Sequence, residues 1–73
     1  MMIELRRLRY LVTLAMRLSY ARAAEDLGIT QSALSRAIQS LEREIGMRLF
    51  DRDQSGVSLT EEGTLFLDHA REI

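Results

Sequence analysis

The chain has 73 residues, enough for one small domain whose core is marginal unless a partner or a second domain adds to it. It contains no cysteine, which excludes a disulfide framework and a thiolate metal site and fits a reducing compartment such as the cytoplasm. Ten arginines, no lysine and eleven acidic residues leave a net charge of −1; no apolar run is long enough to span a bilayer, and charges interrupt the apolar residues of MMIELRRLRY so often that it lacks the order expected of a signal peptide.

Glu4 to Leu18 reads as the first helix. Leu5, Leu8, Leu11, Val12, Ala15 and Leu18 form an apolar stripe, widened by Leu14 and Tyr10. One wall of a three-helix core accounts for the centre of that stripe. Its width points to a second contact, with the C-terminal helix or another subunit. Arg6, Arg7 and Arg9 cluster at its start, serving either solubility or phosphate contact.

Ser19 is a good N-cap for a second, short helix, in which Ala23, Ala24 and Leu27 fall on one face. Gly28 follows the last periodic residue, where a left-handed residue ends a helix without steric cost. Ile29 returns to the core and Thr30 is the next N-cap. Leu34, Ile38, Leu41 and Ile45 then share one side of a longer helix that Gly46 ends. Small residues and a glycine turn between two helices make a helix-turn-helix.

The opposite side of the longer helix gathers Ser32, Ser35, Arg36, Gln39 and Arg43, flanked by Gln31 and Ser40. It carries no acid until Glu42, at its margin. A generic solvated helix more often presents Glu/Lys pairs four residues apart. Arginine pairs bidentately with guanine, glutamine with adenine, and serine with either, so this face suits the major groove of DNA.

Arg48–Phe50 and Val57–Leu59 are short β-capable runs around a polar turn, Asp51–Gly56, and together predict a two-stranded wing. Leu49, Phe50 and Leu59 are its expected anchors. Thr60 caps the last helix, with Glu61 and Glu62 at its positive end. Phe66, Ala70 and Ile73 lie on one side of it, Leu67 points elsewhere and Leu65 lies between, which suggests two packing partners. No stop signal precedes Ile73, so the chain is expected to be a fragment of a longer protein. His69 is the only histidine, and no nucleophile–base pair, metal-ligand cluster or glycine-rich phosphate loop accompanies it. An enzyme reading has no support.

The charge is uneven. Residues 1–52 hold nine arginines against six acids, and residues 53–73 hold one against five. A weakly basic domain binds non-specific DNA poorly, because affinity grows with the number of phosphates neutralised, so two copies acting together are expected.

LRRLRY at Leu5–Tyr10, RAAEDL at Arg22–Leu27, TQSALSRAI at Thr30–Ile38, LERE at Leu41–Glu44, Gly46, LFDR at Leu49–Arg52 and LTEEG at Leu59–Gly63 occur in that order. With them the chain resembles the N-terminal DNA-binding domain of LysR-type transcriptional regulators over nearly its whole length. The resemblance implies a mainly α fold: a winged helix-turn-helix over 1–59, then the start of a linker helix over 60–73. That helix pairs with its counterpart in a second subunit, and Leu65, Phe66, Leu67, Ala70 and Ile73 are the expected contacts. Full-length members are bacterial, cytoplasmic and nucleoid-associated, usually tetramers on promoter DNA. The domain itself is expected to need no cofactor; a small-molecule inducer belongs to an effector domain absent here.

By the same resemblance, Gln31, Ser32, Ser35, Arg36 and Gln39 match DNA-contacting positions of the recognition helix. Ser19 and Arg22 match backbone-contacting positions, and Arg52 matches the arginine at the base of the wing. Ser32 stands where many relatives have proline, which implies a less rigid start to that helix. Ser40 stands where a basic residue is frequent. Asp53, Gln54, Ser55 and Gly56 replace a basic wing tip, and Asp51 and Asp53 are expected to repel phosphates. The alternative is a winged-helix interaction module that pairs subunits and binds little DNA, favoured by the acidic total and the acidic wing.

Overall fold

Side-chain hydroxyls start three of the four helices. In the computed structural model, which describes residues 4–71, the helices are α1 (Leu5–Arg17), α2 (Tyr20–Leu27), α3 (Gln31–Ile45) and α4 (Glu61–Arg71). Ser19 Oγ accepts from the Arg22 N–H at 3.2 Å, Thr30 Oγ1 from the Ala33 N–H at 3.0 Å, and Thr60 Oγ1 from the Gly63 N–H at 2.8 Å. Each satisfies a backbone donor that the helix leaves unpaired. Gly28 and Gly46 close α2 and α3 in the left-handed region, at φ 70° and 75°.

Leu18 closes α1 in the same way at φ 51°, without being glycine. Its N–H donates to the Leu14 carbonyl at 2.7 Å, and its side chain is left exposed. Leu18 and Leu5, the latter 83% exposed, are therefore the unburied ends of the apolar stripe. The stripe narrows to Leu11 and Leu14, fully buried, with Leu8, Tyr10, Val12 and Ala15 packed at their edge.

The core joins those two leucines to Ala23 and Ala24 of α2, Leu34, Ile38 and Leu41 of α3, Leu49 and Phe50, and Leu67 of α4. The alanines let α2 lie close to its neighbours. All the buried side chains among the described residues are apolar.

The wing is β1 (Phe50–Asp53) paired antiparallel with β2 (Gly56–Leu59), in the register Phe50↔Leu59 to Asp53↔Gly56. It begins two residues later than the sequence predicts and reaches further, since the turn shrinks to Gln54 and Ser55. The reason is local. Asp53 Oδ1 accepts from both the Ser55 N–H at 2.9 Å and the Ser55 hydroxyl at 2.6 Å, which tightens the turn and lets the ladder extend to Asp53.

α4 docks on the start of the wing through its first turn. The Thr60 N–H donates to the Leu49 carbonyl at 3.0 Å, and its hydroxyl donates to the Arg48 carbonyl at 2.6 Å. Gly63 is buried there. A Cβ on it would stand 2.1 Å from the Leu49 carbonyl oxygen, so only glycine permits the approach. Leu67, one turn on, follows Gly63 into the core at 4% exposure.

Candidate nucleic-acid interface

Packing holds α3 from one side only. Leu34, Ile38 and Leu41 are buried, Ile45 packs against them, and α1 and α2 lie behind. The opposite side carries Gln31, Ser32, Arg36, Gln39 and Arg43, all exposed. Fifteen residues make this helix about 22 Å long at 1.5 Å per residue. Ser35 differs from the sequence expectation by sitting half-buried at the margin, where Ser40, also half-buried, is expected to flank the group. The Thr30 cap is intact, and the Ser32 hydroxyl lies 3.3 Å from that of Thr30.

Glu42 is the acid nearest this face, and the fold occupies it. Its Oε2 accepts from the Leu49 N–H at 2.7 Å and the Phe50 N–H at 3.2 Å. The carboxylate thereby anchors the start of the wing to α3, a role with no local signal in the sequence, because the partners lie beyond the Gly46 turn.

Ion pairs absorb several other charges. Arg7 reaches Glu44 at 2.9 Å with its side chain only 17% exposed. It ties α1 to α3, which sets Arg7 apart from Arg6 and Arg9, both exposed. Arg17 and Asp26 join α1 to α2, with a guanidinium–carboxylate contact of 3.1 Å that raises the Arg17 pKa above its ordinary value. Arg48 pairs with Asp51 at 3.4 Å. Hydrogen bonds from Ser55 hold the Asp53 carboxyl below its ordinary value, so the wing tip keeps its negative charge at neutral pH. Arg22, Arg36, Arg43 and Arg52 have no carboxylate partner among the described residues.

The other residues matched by resemblance lie around α3. Ser19 is half-buried, its oxygen engaged in the α2 cap while its own O–H remains a donor. Arg22 is exposed on α2. Arg52 lies on β1 with its Cζ 4.2 Å from the centroid of the Tyr20 ring. Tyr20 was not among the sequence candidates. Burial raises its phenol above the ordinary value, which keeps it neutral. An aromatic residue opening a helix reads as core, and only the folded wing brings Arg52 over it.

The expected pairing residues separate. Leu65 is 57% exposed, and Phe66 is half-buried against the core. Met47, Glu62, Leu65, Phe66 and His69 line an apolar notch of about 220 Å³. Leu67 is a correction: its side chain belongs to the domain's own core, because it sits one turn after Gly63 on the docked face of α4. Ala70 lies within α4, but its side chain, like all of Ile73, falls outside the described residues. No group of acidic or histidine side chains able to hold a metal ion occurs among the described residues.

The sequence pattern of the bacterial regulatory helix-turn-helix proteins of the lysR family matches residues 5–64. The chain is 51% identical over 70 residues to the SDS degradation transcriptional activation protein of a Pseudomonas species, covering 96% of this chain and 23% of that protein. It superposes on the DNA-binding domain of BenM in complex with catB site 1 DNA with a TM-score of 0.89 at 43% identity, over 96% of this chain and 79% of that one. Against Vibrio fischeri DarR in complex with DNA the TM-score is 0.91 at 38% identity, over 99% of this chain and 25% of that one. The chain spans between about a quarter and a half of the length of the curated relatives it matches.

Proposed function

The chain belongs to the lysR family of bacterial regulatory helix-turn-helix proteins, and from that premise we propose that it binds specific double-stranded DNA as the reading head of a transcription regulator. α3 enters a major groove. Gln31, Ser32, Ser35, Arg36 and Gln39 meet base edges and adjacent phosphates there, while Ser19, Arg22 and Arg52 contact the backbone and fix the register. Residues 1–59 are the DNA-binding unit, and 60–73 open the linker helix, whose first turns stay docked on it. The observation that carries this reading is the outer side of α3: exposed donors throughout, with the neighbouring acid, Glu42, turned to Leu49 and Phe50.

Binding as a dimer follows from charge and exposure. One domain offers few free arginines, so useful affinity needs two reading heads on half-sites separated by whole helical turns. The exposed Leu65 beside Phe66 supports pairing through α4. In a full-length regulator, a further domain binds a small inducer, the assembly is a tetramer, and the protein works at the nucleoid in the cytoplasm. BenM and DarR bound to DNA support the reading by likeness.

Selection of bound duplexes from a random pool tests it. A recovered inverted repeat whose half-sites lie a whole number of helical turns apart is the expected result. Recovery of no sequence, with undetectable affinity for any duplex at low salt, overturns it and leaves the interaction-module reading. Sedimentation across concentration tests the pairing: Leu65→Asp weakens self-association if α4 is the interface, and unchanged association places the interface elsewhere.

A further inference from the structure

Tyr20 opens α2 on the side that also carries Ala23 and Ala24, half-buried and in contact with the core. Arg52 projects from β1, exposed, and its guanidinium lies over the Tyr20 ring at 4.2 Å. The neighbouring charges are engaged elsewhere: Asp51 with Arg48, Asp53 with Ser55. A guanidinium attracted to a ring is held through its flat face, whereas its five N–H donors lie in its plane and stay available.

The pair borders a notch of about 120 Å³ between the wing and α3, shared with Ser35, Gln39 and Arg48. Glu42 and Asp51 also border it, so the notch sets two carboxylates against the guanidiniums of Arg48 and Arg52; Glu42 Oε2 is turned to the Leu49 and Phe50 N–H groups and Asp51 lies 3.4 Å from Arg48. The lining also supplies donors: the Arg52 guanidinium, the Ser35 hydroxyl and the Gln39 amide. That set suits a phosphate oxygen, and the notch adjoins the exposed side of α3 through Gln39.

We propose that this notch seats a DNA backbone phosphate and that Tyr20 is a positioning residue, its ring holding Arg52 in place for that contact. The inference rests on the DNA-binding reading and adds Tyr20, the notch and the division of labour between ring and guanidinium. A flexible exposed arginine loses rotamer freedom when it binds; one already seated on a ring has less to lose.

The test is a double-mutant cycle on the 73-residue chain, binding a mixed-sequence duplex across a salt series. Arg52→Ala lowers the slope of log affinity against log salt by about 0.9, the value for one phosphate on duplex DNA. Tyr20→Phe keeps the ring and binds like the parent. Tyr20→Leu weakens binding about two- to fivefold, the range of an exposed cation–π contact, and this loss disappears in the Arg52→Ala background. A Tyr20→Leu loss of equal size without Arg52 overturns the positioning role, because the ring then acts through the fold alone. A slope unmoved by Arg52→Ala overturns the phosphate seat. If Tyr20→Leu does not fold, the Arg52 Nε–H resonance of the parent decides: it moves on adding duplex if the notch is occupied, and its standing still sinks the proposal. A parent that binds no duplex overturns the DNA reading as well; a parent that binds while Arg52 is inert overturns only the notch.

Discussion

The outer side of α3 and the junction between the wing and α4 use similar residue types to opposite ends. At the junction, polar groups satisfy one another: Glu42 takes the Leu49 and Phe50 amides, Thr60 links the Arg48 carbonyl to the Gly63 amide, Arg48 pairs with Asp51, and Asp53 holds Ser55. On α3, Ser32, Arg36, Gln39 and Arg43 stand exposed, and neither arginine has a carboxylate partner among the described residues. A polar side chain stabilises the fold when its partner lies within reach of the same chain, and is left for a ligand when packing turns it away. The comparison therefore separates residues whose loss unfolds the domain from residues whose loss only blinds it.

Gly63→Ala breaks the junction most severely. The added methyl meets the backbone carbonyl of Leu49, and neither can yield without moving α4 off the core. We expect a loss of about 3 kcal/mol in folding stability by urea denaturation. A midpoint unchanged from the parent would mean that α4 is not docked through Gly63. Arg36→Ala is the opposite case. Folding stability should stay within about 0.5 kcal/mol of the parent, while affinity for a selected duplex falls by about 1–3 kcal/mol if Arg36 reads a guanine. An equal loss on a mixed-sequence duplex would make it a phosphate anchor instead.

Glu42→Ala sharpens the boundary, because Glu42 lies on α3 but works for the junction. Removing it strips the Leu49 and Phe50 amides of their acceptor and should cost about 1–2 kcal/mol of folding stability. Glu42→Gln, which keeps a carbonyl acceptor, should recover much of that. If Glu42→Ala instead left stability untouched and raised DNA affinity alone, the residue would belong to the binding face.

The smallest effect is at the wing tip. The Asp53 carboxyl is held below its ordinary value by Ser55, so its contribution is present above the ordinary carboxylate range and is lost as pH falls through the depressed value. The Ser55 amide resonance should follow that acid titration, and Asp53→Asn should abolish it. A Ser55 amide that titrates at the ordinary aspartate value would show the turn to be loose.

Most of the helical architecture was legible because its signals are local. Ser19, Thr30 and Thr60 precede apolar periodicities, Gly28 and Gly46 end them, and the spacing of Leu34, Ile38, Leu41 and Ile45 defines which side of α3 faces inward. The donor-rich side follows from the same periodicity, so the residues of the candidate site facing outward from α3 could be named in advance. Only the middle of the α1 stripe is buried within this chain, with Leu5 and Leu18 exposed at its ends, and α1 also meets α4, one of the two second contacts that the stripe's width points to.

The sequence by itself determined the helix limits, the turn between α2 and α3, and the polar face that a ligand meets, since each depends on residues within a turn or two of one another. Only the tertiary structure decided which charges remain free. Arg7 was drawn to Glu44, Glu42 to the wing, Leu67 into the core behind Gly63, and Arg52 over Tyr20. Each of those outcomes depends on the approach of segments distant in the chain, and a side chain's reach to a partner is a property of that approach rather than of its own neighbourhood in sequence.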